Sequence, residues 1–422
     1  MTTGGAWDYD VAVVGGGPGG SSAAIALARG GRRVLVLERD RFPRFHIGES
    51  QLPWTNELLR TLGVYDTIAG EGFVEKWGAS FWTHDATVEQ YADFSAAAAT
   101  PTPRTFQVPR ARFDELLLRH AARSGAEVRE GYRALEAACE PTGARLRFAR
   151  PDGVEDSVWV GAIVDASGRV GFLTRSRGRH ELDPRLRNIA VHAQYENVPR
   201  AGGRRAGDIR MLMRPDLGWL WLIPLSETVT SVGAVIPRAV HLRESRPTPQ
   251  ASLEHYLATT PGAPPLLREA TRVTPARFDA DYSYLGTRLA GNRWVAVGDA
   301  AAFLDPIFST GVLLAMQSGV EAAATVDAGL AAGDLSARRF ARYERRVRRR
   351  YAHFRRFAVG FYTPQFRDLW FRSGRRFGVY AAVLSVLAGN WRPSLGVRLR
   401  IRLFFLLVAL QRVMPIVPRT SE

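Results

Sequence analysis

The chain has 422 residues, of which 46% are hydrophobic and 23% are charged. This balance excludes intrinsic disorder, and the length allows one large α/β unit or two to three domains. The formal net charge is +16, yet only one of the 57 basic residues is a lysine, Lys76, which is the bias expected of a G+C-rich coding sequence.

The chain contains a single cysteine, Cys139. One sulfur excludes both an intramolecular disulfide framework and a thiolate metal cluster, so we predict no metal site. Residues Met1 to Asp10 carry two acids and no base, and a Gly-rich segment follows, which is not the pattern of a signal peptide. These features predict a cytoplasmic protein.

The first predicted elements form a βαβ unit. A β-branched strand runs from Tyr9 to Val14, a Gly-rich turn covers residues 15–20, an Ala-rich helix continues to Arg29, and a second strand ends in Glu38. This order is typical of a dinucleotide-binding site, in which the helix N-terminus offers free N–H donors to a pyrophosphate. The alternative is a Gly-rich turn that binds no ligand.

Each residue of the predicted site has a physical role. Gly15 makes the tight turn, Gly17 lets the backbone approach a pyrophosphate, and Gly20 allows close packing of the helix. Pro18 belongs to the same turn, and Glu38 is placed to hold a ribose hydroxyl.

The remaining elements alternate in type along the chain. Residues 190–290 show the alternation and turns of an inserted antiparallel sheet. We predict strands at Thr105–Val108, Val158–Val164 and Trp294–Val297, a helix at Arg112–Ser124, and a long helix that begins at about Gly311. The α/β character on both sides of the insertion predicts a dinucleotide fold that is split in sequence.

Most of the positive charge lies at the C-terminal end. Residues 337–422 hold 20 arginines against Glu344, Asp368 and Glu422. Two uncharged stretches, Phe377–Trp391 and Leu403–Gln411, are shorter than the roughly 18 apolar residues that span a bilayer. We leave three alternatives open: core-facing helices with solvated basic faces, a membrane-surface hairpin, or a docking surface for an acidic protein.

Three segments resemble the FAD-binding halves of class A flavin monooxygenases, which have the para-hydroxybenzoate hydroxylase fold. They are the glycine turn, the segment Gln107–Asp114 with Arg110 near the flavin, and Gly298-Asp299, whose carboxylate contacts the cofactor in that family. The resemblance implies an α/β fold with a split Rossmann-type FAD domain, an inserted antiparallel substrate-side sheet and a basic helical C-terminal region. We predict the FAD domain at 1–73, 105–180 and 290–336, the substrate-side sheet at 74–104 and 181–289, and the apolar-patched C-terminal region at 337–422.

Further segments are similar to flavin-dependent halogenases of this superfamily. Gly218–Pro224 carries the pattern Trp-x-Trp-x-Ile-Pro, Phe303–Gly311 carries Phe-x-x-Pro-x-x-Ser-x-Gly, and Lys76–Phe81 resembles the segment with the essential lysine of that family. Phe45–Ser50 resembles the branch that halogenates phenols and pyrroles, often on a carrier protein.

The resemblance implies a reaction in which reduced FAD and O2 form a flavin hydroperoxide that converts chloride or bromide to hypohalous acid. Thr310 and Gly311 bind the halide at a helix start, Gly311 also belongs to the cofactor site, and Lys76 directs the halogen to one substrate carbon. Trp219 and Trp221 share one side of a strand, where they form a stacked wall against flavin or substrate tunnel. Each feature also has an alternative without a catalytic role. The tryptophans pack in the core, Thr310 and Gly311 form an ordinary helix start, and Lys76 is a surface lysine that occurs there by chance.

One position departs from the tryptophan halogenases. They have a glutamate before the Ser-Thr-Gly turn, where this chain has Phe308. A carboxylate helps to deprotonate a weakly activated ring, so its absence argues against free tryptophan and for a phenol or pyrrole. The base remains open among His46, Glu49 and His84.

The predicted activity is halogenation of an electron-rich aromatic in natural-product biosynthesis. No second glycine fingerprint follows a strand, so reduced flavin is expected from a separate flavin reductase. Expected partners also include an acyl or peptidyl carrier protein or a membrane at the basic region, but no nucleic acid. The alternatives are an aromatic hydroxylase or prenyl reductase of the same fold, and a flavin-binding protein attached to a membrane or partner.

Overall fold

A computed structural model describes residues 7–244, 246–280, 282–372 and 378–419. Phe377, where one predicted apolar stretch begins, and Glu422 lie outside the described residues, as do residues 1–6. The strands are β1 (Tyr9–Val14), β2 (Val34–Glu38), β3 (Val74–Lys76), β4 (Gly78–Trp82), β5 (Glu89–Asp93), β6 (Thr105–Gln107), β7 (Glu127–Glu130), β8 (Arg133–Cys139), β9 (Ala144–Ala149), β10 (Glu155–Asp165), β11 (His180–Leu182), β12 (Asn188–Glu196), β13 (Ile209–Met213), β14 (Trp219–Pro224), β15 (Val229–Pro237), β16 (Thr271–Arg272), β17 (Arg277–Ala280), β18 (Tyr284–Gly286), β19 (Ala290–Gly291), β20 (Trp294–Ala296) and β21 (Ala302–Phe303). The helices are α1 (Pro18–Arg29), α2 (Pro53–Thr61), α3 (Tyr65–Ala69), α4 (Arg110–Arg123), α5 (Phe172–Ser176), α6 (Arg238–Glu244), α7 (Pro249–Ala258), α8 (Ala263–Leu267), α9 (Gly311–Ala331), α10 (Ala337–Phe361), α11 (Pro364–Arg372), α12 (Val379–Leu387) and α13 (Leu395–Val413).

The first sheet is built on parallel strands in the order β20-β10-β1-β2-β7, with β19 antiparallel at the β20 edge. The interiors of β1 and β2 are fully buried runs of valine, alanine and leucine, as expected for parallel strands covered on both faces. Helix α1 packs against α9 and α4. Because parallel strands end at one edge, the sheet brings the turn after β1 near the segment that follows β20.

The second sheet has the order β16-β12-β15-β14-β13-β4-β5. Its strands are antiparallel except for β4 and β13, which run parallel. The predicted antiparallel sheet thus contains one parallel pair, because β4 comes from the earlier insertion and joins the edge of β13 in the same direction. Side chains of β14 alternate: Trp219 and Trp221 face the main core, while Leu220 and Leu222 face a second core with α7.

A two-stranded ribbon of β3 and β6 connects the two parts of the fold. In it, Lys76 pairs with Thr105. The predicted boundary between residues 74–104 and 105–180 passes through this ribbon. The lysine therefore lies on the connection between the two sheets and not inside the second sheet.

The C-terminal helices belong to the main core. Helix α10 buries a row of aromatic residues: Phe340, Tyr343, Tyr351, Phe354, Phe357 and Phe361. The Tyr343 hydroxyl donates to the carbonyl of Ala296 in β20 at 2.6 Å. Helix α12 is buried along almost its whole length. Of the three alternatives for this region, core-facing helices describe α10 and α12, and nothing in the described chain forms a detached hairpin.

Over the described residues, none of the helices combines the length and the apolar content that crossing a bilayer requires.

Candidate functional site

The turn between β1 and α1 has the geometry of a pyrophosphate cradle. Gly15 has φ +107°, and a Cβ there would lie 2.3 Å from the carbonyl oxygen of Ala166. A Cβ on Gly20 would lie 1.9 Å from the oxygen of Gly15, which explains the close packing of the helix. Gly17 is different, since the nearest atom to its Cβ position is Arg44 Nη2 at 3.4 Å. The open side of the turn is thus the side at the N-terminus of α1, where Pro18 occupies the first turn.

Glu38 lies buried at the end of β2 beside this turn. Its carboxylate accepts hydrogen bonds from the backbone N–H of Gly16 at 2.7 Å and of Asp40 at 2.8 Å. Each carboxylate oxygen retains a second lone pair, so the group can hold the turn and still accept from a ribose hydroxyl. That ribose contact stays a prediction.

Arg110 forms a buried ion pair at the start of α4. Its Nε and Nη2 donate to Asp114 at 2.7 and 2.8 Å, and its Nη1 donates to the carbonyl of Ile47 at 2.7 Å. Burial raises the pKa of Asp299 to about 6, although the positive charge of Arg110 opposes this shift. Arg110 and Asp299, which are far apart in sequence, therefore occupy one neighbourhood.

Arg44 is a candidate cofactor residue that the sequence reasoning missed. It lies next to Gly17 and forms an ion pair with Asp114 at 3.0 Å. Its guanidinium stands where a pyrophosphate would meet the helix N-terminus. In a chain with so many arginines, no local pattern distinguishes this one.

Thr310 and Gly311 lie at the N-terminus of α9, after Ser309 in the left-handed region at φ +55°. Thr310 is 1% exposed, and its Oγ1 has no hydrogen-bond partner among the described residues. Apart from the adjoining residues and the backbone of α9 itself, no described atom lies within 4 Å of the Cβ position of Gly311. A helix N-terminus with an orphaned hydroxyl and open space beside it suits a small anion.

Lys76 is buried, with 2% of its surface exposed. Its Nζ donates to Ser50 Oγ at 2.8 Å and to the carbonyl of Gln51 at 2.9 Å, and it lies 5.3 Å from the ring centroid of Phe94. Burial lowers the pKa of the ammonium to about 7, against a smaller opposing effect of Asp208. The alternative of a chance surface lysine is excluded by this burial.

Trp219 and Trp221 form a wall on the inner face of β14. Their ring centroids are 5.8 Å apart at 48°, so the rings are tilted and not stacked as the sequence suggested. Trp219 Nε1 donates to Tyr362 Oη at 2.7 Å, and Tyr362 donates to Asp305 at 2.9 Å. Trp221 Nε1 donates to Ser231 Oγ at 3.1 Å. Both indoles are thereby fixed in position by their N–H groups.

Glu49 is the best placed of the three candidate bases. It is 3% exposed, hydrogen-bonds Ser231, and has one oxygen, Oε2, with no partner among the described residues. Burial raises its pKa to about 7. By contrast, burial lowers the pKa of His46 to about 4, and His84 lies in the turn between β4 and β5.

The segment from His46 to Gln51 joins these groups. The Ile47 carbonyl binds Arg110, and Gly48 has φ +106° with its Cβ position 2.9 Å from Arg110 Nη1. Glu49 contacts Ser231 under Trp221, while Ser50 and Gln51 hold Lys76. One short loop thus contacts the cofactor half, the tryptophan wall and the lysine.

The residues present fit FAD. A split parallel sheet, a cradle that excludes Cβ atoms at Gly15 and Gly20 but is open at Gly17, and a strand-end carboxylate at Glu38 define a protein with a Rossmann-type dinucleotide-binding fold.

Comparison with known proteins identifies the family to which the chain belongs. A family model described as tryptophan halogenase matches residues 10–102 and 88–372. The 1H-pyrrole-2-carbonyl-(peptidyl-carrier protein) chlorinase of Pseudomonas fluorescens is 32% identical over 363 residues, 81% of this chain and 80% of that protein. The chain belongs to the flavin-dependent halogenases.

Two solved structures are similar over almost the whole chain. The myxobacterial chondrochloren halogenase CndH is 34% identical, with a TM-score of 0.78 over 94% of this chain and 97% of that one. A flavoprotein/dehydrogenase from Cytophaga hutchinsonii is 26% identical, with a TM-score of 0.88 over 96% and 99%. The fold alone therefore does not separate halogenases from other flavoproteins. As a flavin-dependent halogenase, the protein is an oxidoreductase that uses FAD, a halide and O2, and a flavin reductase provides the reduced cofactor.

Proposed function

We propose that this enzyme halogenates a phenol or pyrrole ring, and that Lys76 directs the halogen to one carbon. The observation that carries the proposal is the buried Nζ of Lys76, held by Ser50 Oγ and the Gln51 carbonyl. An ammonium has three N–H donors, so one remains for a ligand. With a pKa of about 7, the group is available both as an ammonium that donates and as an amine that accepts a halogen.

The halide is held at the start of α9. Thr310 supplies a buried hydroxyl without a partner, and Thr310 and Gly311 supply backbone N–H groups at the positive end of the helix. Bound reduced FAD, with O2, supplies the oxidising equivalent that converts the halide to hypohalous acid.

Hypohalous acid then replaces one ring C–H bond with a carbon–halogen bond. The ring proton passes through a base to the hydroxide that the hypohalous acid leaves behind, and this hydroxide departs as water. We assign the acceptance of this proton to Glu49, whose Oε2 has no partner among the described residues and whose raised pKa suits a base. Phe308 packs edge-on against Phe361, with ring centroids 5.4 Å apart, where tryptophan halogenases have a carboxylate. An electron-rich ring needs less help from a base, which supports a phenol or pyrrole.

The test of Lys76 compares the wild type with Lys76→Ala and Lys76→Arg, each supplied with reduced FAD, O2, bromide and a simple phenol. Both variants are expected to bind FAD normally and to lose the brominated product by a factor on the order of a hundred or more. The arginine variant is the matched control, since it keeps the charge but cannot become neutral. With both variants, a hypohalite trap added to the solution should still react, which would show that hypohalous acid is still formed. Normal bromination by Lys76→Ala would overturn the assignment.

Glu49→Gln is a separate arm of this experiment. The amide is nearly isosteric but cannot accept the ring proton, so turnover should fall while FAD affinity and hypohalite release stay at the wild-type level. An unchanged turnover would remove Glu49 from the mechanism.

We further propose that the substrate arrives on an acidic acyl or peptidyl carrier protein, as the name of the pyrrole chlorinase states for that relative. The basic ridge that would receive it consists of Arg338, Arg342, Arg345 and Arg349, spaced to lie on one exposed face of α10. The last three have no ion pair among the described residues, so their charge is available to a partner.

This second proposal predicts a salt effect. Turnover of carrier-bound pyrrole should fall steeply between low and moderate salt, and the variant Arg342→Gln/Arg345→Gln/Arg349→Gln should lose that dependence. Turnover of a free phenol is the control and should respond to neither change. Equal, salt-insensitive turnover of both substrates would exclude carrier docking on this ridge.

A further inference from the structure

Helix α13 presents an apolar face to solvent on the side opposite to its packed face. Val397, Ile401 and Phe404 point into the protein, where α13 packs on α11 and α12. The opposite side carries a row of exposed aliphatic residues, which we call the leucine ridge: Leu395, Leu399, Leu403, Leu406, Leu410 and Val413. Their spacing of three and four residues keeps them on one face of the helix.

The exposure of this ridge is unusually large for aliphatic side chains. Leu395 is 72% exposed, Leu399 54%, Leu406 55% and Val413 80%, and the ridge continues into Met414 at 60%. A helix of 19 residues is about 28 Å long, so the apolar strip is continuous over that length. A contiguous exposed apolar strip of this kind marks an interaction surface.

The charges around the ridge are all of one sign. Arg398, Arg400, Arg402 and Arg412 lie exposed beside the leucines and have no ion pair among the described residues. No Asp or Glu occurs between residues 369 and 421. A second copy of the chain would bring the same arginines against one another without acidic partners, whereas an anionic surface would pair them.

We propose that α13 lies in the plane of an anionic membrane surface, with the leucine ridge in the acyl boundary and the arginines at the headgroups. Long arginine side chains reach from the flanks of a helix to headgroup phosphates while their stems cover apolar surface. The ridge is convex, which fits a deformable lipid surface, while a protein partner would need a groove of matching length. The proposal also agrees with the absence, over the described chain, of a helix fit to cross the bilayer, since α13 lies on the membrane and not through it.

The test is co-sedimentation of the full-length protein with vesicles of phosphatidylcholine alone or with phosphatidylglycerol. We expect binding to the anionic vesicles that weakens with salt, and little binding to the neutral ones. The double variant Leu399→Asp/Leu406→Asp should lower the apparent partition coefficient on the order of tenfold or more, since inserting even one leucine contributes more than a factor of ten. Leu242→Asp is the matched control, because Leu242 is 69% exposed on α6 and should not affect binding.

Three outcomes would overturn the proposal. One is the absence of binding to anionic vesicles. The second is binding that survives in Leu399→Asp/Leu406→Asp but is lost in Arg342→Gln/Arg345→Gln/Arg349→Gln, which would move the contact to α10. The third combines two results: no vesicle binding, and a wild-type dimer in sedimentation velocity that becomes a monomer in Leu399→Asp/Leu406→Asp. These results would make the ridge an interface between two copies. FAD content of each variant shows whether it is folded.

Discussion

At the scale of single residues, the proposed chemistry depends on groups that burial has moved toward neutral pKa values. Lys76 and Glu49 both have a pKa of about 7, one lowered and one raised, and desolvation is the main cause in each. Both are connected to the His46–Gln51 loop, Glu49 as part of it and Lys76 through its hydrogen bonds. Neither shift is visible in sequence, because it arises from segments that meet only in the folded chain.

The lowered pKa of Lys76 predicts how stability depends on pH. Between pH 7 and the unfolded value of 10.5, the unfolded chain binds a proton at this site that the folded chain does not, so the folded state gains stability as pH rises. The gain is on the order of 1 kcal/mol per pH unit within that window. Urea unfolding of wild type and Lys76→Met at pH 7 and pH 9 measures the part of this gain in stability that is due to Lys76. The wild type should gain stability relative to the variant, and a constant difference would show that the lysine stays charged when folded.

At the scale of elements, the glycines of the β1–α1 unit differ in how much space surrounds them. Gly20→Ala places a Cβ against a backbone oxygen that cannot move without disturbing the turn, whereas Gly17→Ala meets only the end of the Arg44 side chain. The two substitutions add the same methyl group three residues apart.

We therefore expect opposite phenotypes. Gly20→Ala should lower the free energy of unfolding by about 1–3 kcal/mol or more through overpacking. Gly17→Ala should unfold like the wild type but bind FAD more weakly, because its methyl group occupies the approach to the helix N-terminus. Thermal unfolding of the apoprotein and titration with FAD measure the two effects. Gly30→Ala, at the end of α1, is the control for handling and expression. If the wild type and Gly17→Ala bound FAD with equal affinity, the pyrophosphate would have to bind elsewhere.

At the scale of the whole molecule, the C-terminal helices form part of the hydrophobic core. Helix α10 contributes buried aromatics along its length, and Tyr362 at its end connects Asp305, in the segment before α9, to Trp219 of the wall. Trp370 of α11 packs edge-on against Phe81 of β4, with centroids 5.2 Å apart. The candidate site is thus enclosed partly by the C-terminal helices, which follow the core-facing alternative among the three that the sequence left open.

Truncation tests this integration. A chain that ends at residue 336 should show no cooperative unfolding transition and no FAD binding, since removing α10 exposes the core side of both sheets. A chain that ends at residue 417 keeps the backbone of Ile416 and Val417, which hydrogen-bonds the buried Gln411, and should unfold like the full-length protein. If the shorter chain folded and retained turnover, the C-terminal region would be a separate unit.

The sequence by itself determined the elements whose constraints are local. The strand from Tyr9 to Val14, the tight turn at Gly15, the strand ending at Glu38 and the helix beginning at Gly311 are confirmed by the structure, because tight turns and buried parallel strands restrict the residue types that can occupy them. The halogenase motifs also identified the family, which the comparisons confirm.

The tertiary structure decided everything that depends on which segments meet. It placed Arg44 beside Gly17, buried Glu49 against Ser231, and buried the lone lysine of an arginine-rich chain. It also divided the basic tail into core-building faces and an exposed leucine ridge. Composition shows only how many arginines and leucines a segment contains, whereas burial and charge pairing are set by neighbours from distant parts of the chain.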